Sequence, residues 1–316
     1  MISMEAFDQY HANDDIIRSI ATLFVLGALA LFLLFVFDIP SMLESTGESL
    51  TPDTWVLPIL IWRLICFSVC VSALVYTLRM KNGHMVVRSH AQKVDEVVHP
   101  VGVENLVTFS SWTLVLSIFY FLFAIFASVQ MWSDSTPSTS LDVLVSGFFV
   151  VALGASFLTS TVVRFVILPE NHKDEEHHRR QFWFHNQVMH NFCTLFLVAE
   201  ILFTTPQLEF SYMLFGILTG LSYALFAFPF AMFGGGYYVY SFIDPRLQQA
   251  PLFISVLAFA ISFAYIGVWI VSAMISLNYA LGAIVLMVWS SSIVQFAPLI
   301  RIRGGRAEPK TEAIGR

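Results

Sequence analysis

The sequence predicts an all-α protein: a polytopic transmembrane bundle of about eight helices. Of its 316 residues, 57% are hydrophobic and only 12% are charged, whereas soluble domains carry about 25% charged residues. The apolar residues occur in uncharged runs, and a helix of about 20 such residues crosses a hydrocarbon layer about 30 Å thick. The basic residues are confined to short linkers and form no continuous patch, so we expect no nucleic-acid partner.

A single transmembrane domain is predicted over residues 1–302. The stretch 251–300 has no charged residue and would form a helix of about 75 Å if unbroken, so a turn at residues 276–278 is predicted to divide it. The first apolar run follows an acidic N-terminus, which favours a retained anchor over a cleaved signal peptide. The eight predicted segments are 20–37, 55–78, 106–132, 141–168, 185–205, 212–233, 251–275 and 279–300. Residues 303–316 are predicted to be a disordered cytoplasmic tail.

The distribution of Lys and Arg supports the count of eight. Fourteen of the 16 basic residues fall in the N-terminal tail, in the linkers after the second, fourth and sixth segments, or in the C-terminal tail. Because basic residues concentrate on the cytoplasmic side, both termini are predicted to be cytoplasmic. The expected location is the endoplasmic reticulum, another endomembrane or the plasma membrane. Cys66, Cys70 and Cys193 all lie inside apolar segments, which favours packing roles over disulfides.

Ionisable side chains inside apolar segments usually mark a function or a specific partner. Arg63 and Glu200 lie at similar depths in the second and fifth segments, so we expect them to form a structural salt bridge. Arg164 lies near the cytoplasmic end of the fourth segment, where its guanidinium is expected to extend to the lipid headgroups.

A histidine and a hydroxyl group are predicted to share one depth near the cytoplasmic side. His190 lies about six residues into the fifth segment, with Asn186 one turn before it, and Ser110 lies about four residues into the third segment. One interpretation is an ordinary hydrogen-bonded contact between helices. The other is a hydroxyl nucleophile with a histidine as its general base.

Five of the nine histidines fall within nineteen residues, which raises the possibility of a metal site. They are His172, His177, His178, His185 and His190. Imidazoles at one-turn spacing ligate iron or zinc, and such clusters are typical of membrane desaturases and hydroxylases. Those enzymes need several clusters, whereas this chain has one, so a hydrated loop of mixed charge is the favoured interpretation.

Three motifs resemble the androgen-induced and androgen-dependent TFPI-regulating protein family of multipass membrane hydrolases. The run SSWTLVLSIFYF from Ser110 resembles a family segment in which a threonine takes the place of Ser110 and an asparagine that of Thr113. The run FHNQVMH ends at His190, and Glu200 follows ten residues later, as in the family. The third match, GGYYVYS, contains Tyr240. The resemblance covers about residues 105–275.

The resemblance implies hydrolysis of lipid esters, namely fatty-acid esters of hydroxy fatty acids, without a cofactor or metal. Ser110 would be the nucleophile and His190 the base, with Asn186, Thr113, Glu200 and Tyr240 in substrate-binding, oxyanion-stabilising or supporting roles; Thr108 is a rival nucleophile. The chain departs from the family in having serine for threonine, Gln187 for a histidine, and an extra apolar segment at each end. A transporter or receptor without catalysis remains an alternative, and a histidine-cluster lipid oxidase a weaker one.

Overall fold

The computed structural model describes residues 9–133, 135–170 and 175–298, which are almost entirely helical. The longer helices, in chain order, are α1 (Ile17–Val36), α2 (Ile39–Leu50), α3 (Val56–Arg79), α4 (Phe109–Trp132), α5 (Thr139–Ile167), α6 (Phe184–Thr204), α7 (Phe210–Gly234), α8 (Ala250–Leu277) and α9 (Tyr279–Ile293). Within this part of the chain, seven helices, all except α2 and α9, are long and apolar enough to cross a membrane. The predicted all-α membrane bundle is therefore confirmed, and the protein is an integral multipass membrane protein.

The eighth predicted segment is shorter than expected. The turn before it is where the sequence predicts it, because α8 ends at Leu277 and the Asn278 side chain caps α9 by accepting the Leu281 N–H. However, α9 has only 15 residues and measures about 22 Å, so it falls short of a standard crossing. The predicted tail at 303–316 lies outside the described residues.

The linkers contain structure that the sequence did not predict. The linker after α1 forms the helix α2, which packs against α5. Three short strands, β1 (Met85–Ser89), β2 (Asp95–Val98) and β3 (Tyr237–Tyr238), form an antiparallel sheet in the order β2-β1-β3. A further six-residue helix covers Glu175–Arg180, and a 3-10 helix at Gly102–Val107 leads into α4.

The linkers gather on two opposite ends of the bundle, in the alternation that the basic residues predict. On one end, β3 pairs with β1, Tyr10 bridges to Leu247, and Arg180 donates to the Asn82 carbonyl. These contacts join the described parts of the N-terminal tail and of the linkers that contain Lys or Arg, which we call the basic linkers. We call this end of the bundle the basic end. On the other end, contacts join the linkers that contain no Lys or Arg: Thr46 donates to the Gln207 carbonyl, Thr139 donates to Glu44, and Tyr279 donates to the Leu202 carbonyl.

A buried ion pair joins α3 to α6, as the sequence predicts. The Arg63 Nη2 atom lies 2.9 Å from Glu200 Oε2, and both side chains are fully buried. The hydroxyl of Tyr120, from α4, donates to the same oxygen at 2.9 Å, and Arg63 Nη1 donates to Ser128 Oγ at 2.8 Å. Arg63 also donates to the carbonyls of Leu50 and Ala124. Each charge is therefore compensated within the protein, which is the condition under which a buried ion pair is tolerated.

The three cysteines are buried and free, as their apolar context predicts.

A glycine allows α7 and α8 to pack closely against each other. A Cβ added at Gly220 of α7 would lie 2.8 Å from the Ala258 Cα of α8. Small residues of this kind let membrane helices approach closely, and α7 and α8 share the most extensive helix contact in the described part of the fold.

We predict that Arg63→Met lowers the free energy of unfolding by about 3–5 kcal/mol, because it leaves the Glu200 carboxylate buried without its cation. The double variant Arg63→Met/Glu200→Met removes both charges and is expected to recover much of that loss. Unfolding of the purified protein in detergent measures both effects. A single variant as stable as the wild type would contradict this prediction.

Candidate functional site

Ser110 is the second residue of α4, at the basic end of the bundle. Thr108 is the N-cap of this helix: its Oγ1 accepts the Ser111 N–H at 3.2 Å and lies 2.8 Å from the Ser111 hydroxyl. Farther along α4, Thr113 and Ser117 each donate to the carbonyl four residues back. Ser110 precedes the first such turn of α4, so its hydroxyl is directed to a neighbouring helix instead.

His190 lies in a π-helical segment, Val188–Phe192, inside α6. A π segment widens one turn of an α-helix, and such segments are often found at functional sites. The Ser160 hydroxyl of α5 donates to the His190 carbonyl and also contacts Thr194 Oγ1 at 2.6 Å. These contacts attach the widened turn to α5 and fix the backbone that carries the imidazole.

The two helices bring the hydroxyl and the imidazole together. His190 Nε2 lies 3.2 Å from Ser110 Oγ, and the side chains are only 6% and 9% exposed. This distance is within the range for a nucleophile and its base. The shared depth that the sequence predicts for these two residues is therefore a direct contact.

The pair lies in the wall of a cavity of about 520 Å³ at the basic end. The cavity also contacts the small sheet and the linker after α7, and most of its lining is apolar; the lining residues used below are Val86, Thr108, Val166, His185, Asn186, Met189 and Tyr240. Val86, in β1, is 47% exposed, and Val166, in α5, is 46% exposed. The lining of the cavity therefore includes residues that are partly exposed, both in the linker after α3 and on α5.

Tyr240 connects the linker after α7 to the beginning of α4. Its Oη accepts the Phe109 N–H at 3.3 Å, one residue before Ser110. Burial raises the pKa of Tyr240 to about 12, so the phenol keeps its proton at neutral pH. A phenol that accepts one hydrogen bond still has its own O–H to donate, and this group lines the cavity beside Ser110.

The other predicted site residues are divided between the cavity and the helix contacts. Asn186 lines the cavity, and its Nδ2 donates to the Arg180 carbonyl at 2.8 Å. Thr113 is outside the lining and contacts Thr159 Oγ1 at 2.9 Å, so it joins α4 to α5. Glu200 belongs to the Arg63 ion pair, and it is ten residues, or about 15 Å, from His190 along α6. Neither Thr113 nor Glu200 touches this cavity.

The clustered histidines do not converge in the described structure. His185 stacks on Tyr76 with ring centroids 5.1 Å apart and lines the cavity, while His178 contacts Phe182. His172 and the side chain of His177 lie outside the described residues. Among the described residues, no group of three His, Cys, Asp or Glu side chains is arranged to hold a metal ion.

Two features of the site carry no signal in the sequence. The Tyr223 hydroxyl donates to the Val107 carbonyl at 2.8 Å and so holds the segment that leads into Ser110. The Nε and Nη1 atoms of Arg164 are buried within the protein next to His190. Only the three-dimensional packing of α5 and α7 reveals these positions.

The chain matches no family model, no curated protein and no solved structure. The chemistry of the site is therefore argued from the contact between Ser110 and His190, the cavity beside it and the residues that enclose both.

We predict that Thr108→Ala lowers the free energy of unfolding by about 1 kcal/mol through loss of the N-cap. Thr108→Ser keeps a capping oxygen and is the matched control, because serine is at least as favourable as threonine at this position. Unfolding in detergent compares the two variants. An equal loss in both would show that the methyl group of Thr108, rather than its capping oxygen, stabilises the fold.

Proposed function

We propose that this protein is an integral membrane hydrolase of lipid esters, with Ser110 as nucleophile and His190 as general base. The observation that carries the proposal is the 3.2 Å contact between Ser110 Oγ and His190 Nε2 in the wall of a largely apolar cavity. A serine hydroxyl is a weak nucleophile unless a positioned base removes its proton. The imidazole of His190, 3.2 Å away, supports its assignment as that base.

The reaction proceeds in two acyl-transfer steps. Ser110 Oγ attacks the ester carbonyl carbon while His190 Nε2 takes the hydroxyl proton, and His190 then gives that proton to the departing alcohol oxygen. Water next attacks the acyl-serine carbonyl while His190 takes its proton; the bond from the acyl carbon to Ser110 Oγ then breaks, His190 returns the proton to Oγ, and the fatty acid is released. Thr108 is the less suitable nucleophile because its Oγ1 is engaged with Ser111 as the helix cap.

The beginning of α4 favours the negative charge that develops in this reaction. A helix N-terminus carries a partial positive charge and backbone N–H groups without helical partners. Ser110 is in the first turn of a 24-residue helix, so both the serine oxygen and the carbonyl oxygen would develop charge near this dipole. Tyr240, which binds the Phe109 N–H, is the side chain we assign as oxyanion donor.

The cavity favours an amphiphilic substrate. Its volume, about 520 Å³, is within the range of small-molecule sites, and its lining is suited to an acyl chain. Val166, a partly exposed lining residue on a membrane-crossing helix, is where we propose that a lipid enters laterally, and Val86, in the linker after α3, is where a polar product would leave. The resemblance of residues 105–275 to androgen-induced hydrolases favours fatty-acid esters of hydroxy fatty acids within this class.

The proposal also includes the orientation of the chain. With the basic end in the cytoplasm, Ser110 and His190 lie in the cytoplasmic leaflet of the endoplasmic reticulum, another endomembrane or the plasma membrane. Membrane lipids are then the substrate, and no nucleic acid or cofactor takes part. A transporter or receptor would use the same cavity without forming an acyl-serine.

We predict that Ser110→Ala lowers kcat/KM for a long-chain ester by at least about 10³-fold, and His190→Ala lowers it by about 10²–10⁴-fold. A fluorophosphonate probe should label the wild type at Ser110 and fail to label Ser110→Ala. The matched control is Ser117→Ala, on the same helix, whose hydroxyl donates to the Thr113 carbonyl. Full ester hydrolysis by both Ser110→Ala and His190→Ala would contradict the proposal. Movement of lipid across vesicles, without labelling of the protein by the probe, would favour a transporter.

We predict that Tyr240→Phe lowers kcat by about 10²-fold with little change in KM, because the lost O–H donates to the oxyanion only in the transition state. Steady-state kinetics on the same ester measure this split. Tyr238→Phe, two residues away and also buried, controls for loss of a phenol in the same linker. An equal rise in KM would assign Tyr240 to ground-state binding instead.

A further inference from the structure

A second, much smaller void lies against His190. Its volume is about 10 Å³, and it is lined by a π-helical segment of α5 (Val163–Ile167), by residues 181–182 of the following linker, by α6, and by the end of α9 with the segment that follows it. This is close to the volume that a single buried water occupies, provided that polar partners surround it. The void is separate from the larger cavity and shares only His190 with the proposed reaction.

Three residues that line this void carry buried polar atoms without a hydrogen-bond partner. The atoms are His190 Nδ1, Arg164 Nε and Nη1, and Gln295 Oε1. Buried polar atoms are nearly always satisfied, by protein or by an ordered water. The set contains donors on Arg164 and an acceptor on Gln295, which are the kinds of polar partner that a buried water needs.

The backbone of Gln295 is attached to the residue next to His190. Asn191 Nδ2 donates to the Gln295 carbonyl at 2.8 Å, and the Gln295 N–H donates to Asn191 Oδ1 at 3.0 Å. This reciprocal pair holds the extended chain after α9 against α6. Gln187, which also lines the void, uses its Oε1 to accept from Asn191 Nδ2 at 2.8 Å, whereas Gln295 Oε1 is buried without a partner.

We propose that this void binds one water molecule that links His190 Nδ1 to Gln295 Oε1, which makes Gln295 a positioning residue for His190. The water oxygen accepts from the Nδ1–H of His190 and from one N–H of Arg164, and one water hydrogen is donated to Gln295 Oε1. The imidazole proton is thereby held on Nδ1, so that the Nε2 lone pair faces the Ser110 hydroxyl.

The link from His190 Nδ1 through the water to Gln295 Oε1, which we call the relay, keeps the proton on Nδ1 while Nε2 takes the proton of Ser110. When Nε2 takes the proton of Ser110, the Nδ1–H bond remains intact and retains the water as its acceptor. A third group that fixes the tautomer in this way is what distinguishes an effective histidine base from a misoriented one. The catalytic consequence rests on the proposed function, but the tautomer and the water site do not.

The test is the tautomer of His190 in protein labelled with [15N]histidine, measured without substrate. The 15N chemical shifts separate Nδ1–H from Nε2–H, and loss of a signal in His190→Gln assigns the residue. We expect Nδ1–H in the wild type and a substantial Nε2–H population in Gln295→Met, which has similar length but no amide acceptor. Gln295→Glu keeps an oxygen at the same position and should keep Nδ1–H. Gln130→Met is the matched control far along α4.

Wild-type protein with His190 in the Nε2–H form would overturn the relay, as would a Gln295→Met variant with an unchanged tautomer. In kinetics, Gln295→Met should lower kcat on the order of 10-fold with KM changed less than about twofold, well short of the roughly 10⁴-fold loss that follows when a triad histidine adopts the wrong tautomer. A tautomer shift in a protein without esterase activity supports the relay and refutes the proposed function. Esterase activity together with an unchanged tautomer and kcat in Gln295→Met supports the proposed function and refutes the relay.

Discussion

The arrangement of the site depends on the register between α4 and α6, which a buried ionic network fixes. Tyr120 of α4 donates to Glu200 of α6, and Arg63 of α3 neutralises that carboxylate. Ten residues earlier on each helix, Ser110 meets His190 at 3.2 Å. The two helices therefore contact each other at two matched levels about 15 Å apart. Because an uncompensated charge in the bundle is costly, the network allows little sliding between α4 and α6, and the hydroxyl and imidazole remain aligned.

The same requirement for internal hydrogen bonding explains why Ser110 differs from other hydroxyl residues in the bundle. Ser117, Ser128 and Thr204, for example, all donate to the carbonyl four residues back, which satisfies them locally in an apolar medium. Ser110 is the second residue of its helix, and the residue four positions before it belongs to the separate 3-10 helix that precedes α4. Its position, rather than its residue type, directs the hydroxyl to His190.

Much of the architecture follows from the sequence because helix length and charge placement reflect the bilayer directly. The depth argument also brings Arg63 to Glu200 and Ser110 to His190 before any coordinates are considered. The roles near the substrate that the resemblance implies for Thr113 and Glu200 stay predictions, and neither residue lines the cavity. A shared motif does not specify which face of a helix a side chain occupies. The π segment around His190, the strand contacts of Tyr238 and the attachment of Gln295 to Asn191 arise from tertiary packing, and no local pattern predicts them.

The short helix α9 has a consequence for the surrounding lipid. Its outer face is apolar and exposed, with Leu281, Ile284 and Val288 each more than half accessible, yet its length is about 22 Å against a hydrocarbon thickness of about 30 Å. A bilayer that meets such a face must thin locally or draw headgroups inward. Since the chain after α9 contacts Asn191, the thinned part of the bilayer would lie next to α6, the helix that carries His190. Headgroups, and the ester bonds just below them, would then lie unusually close to the level of the imidazole.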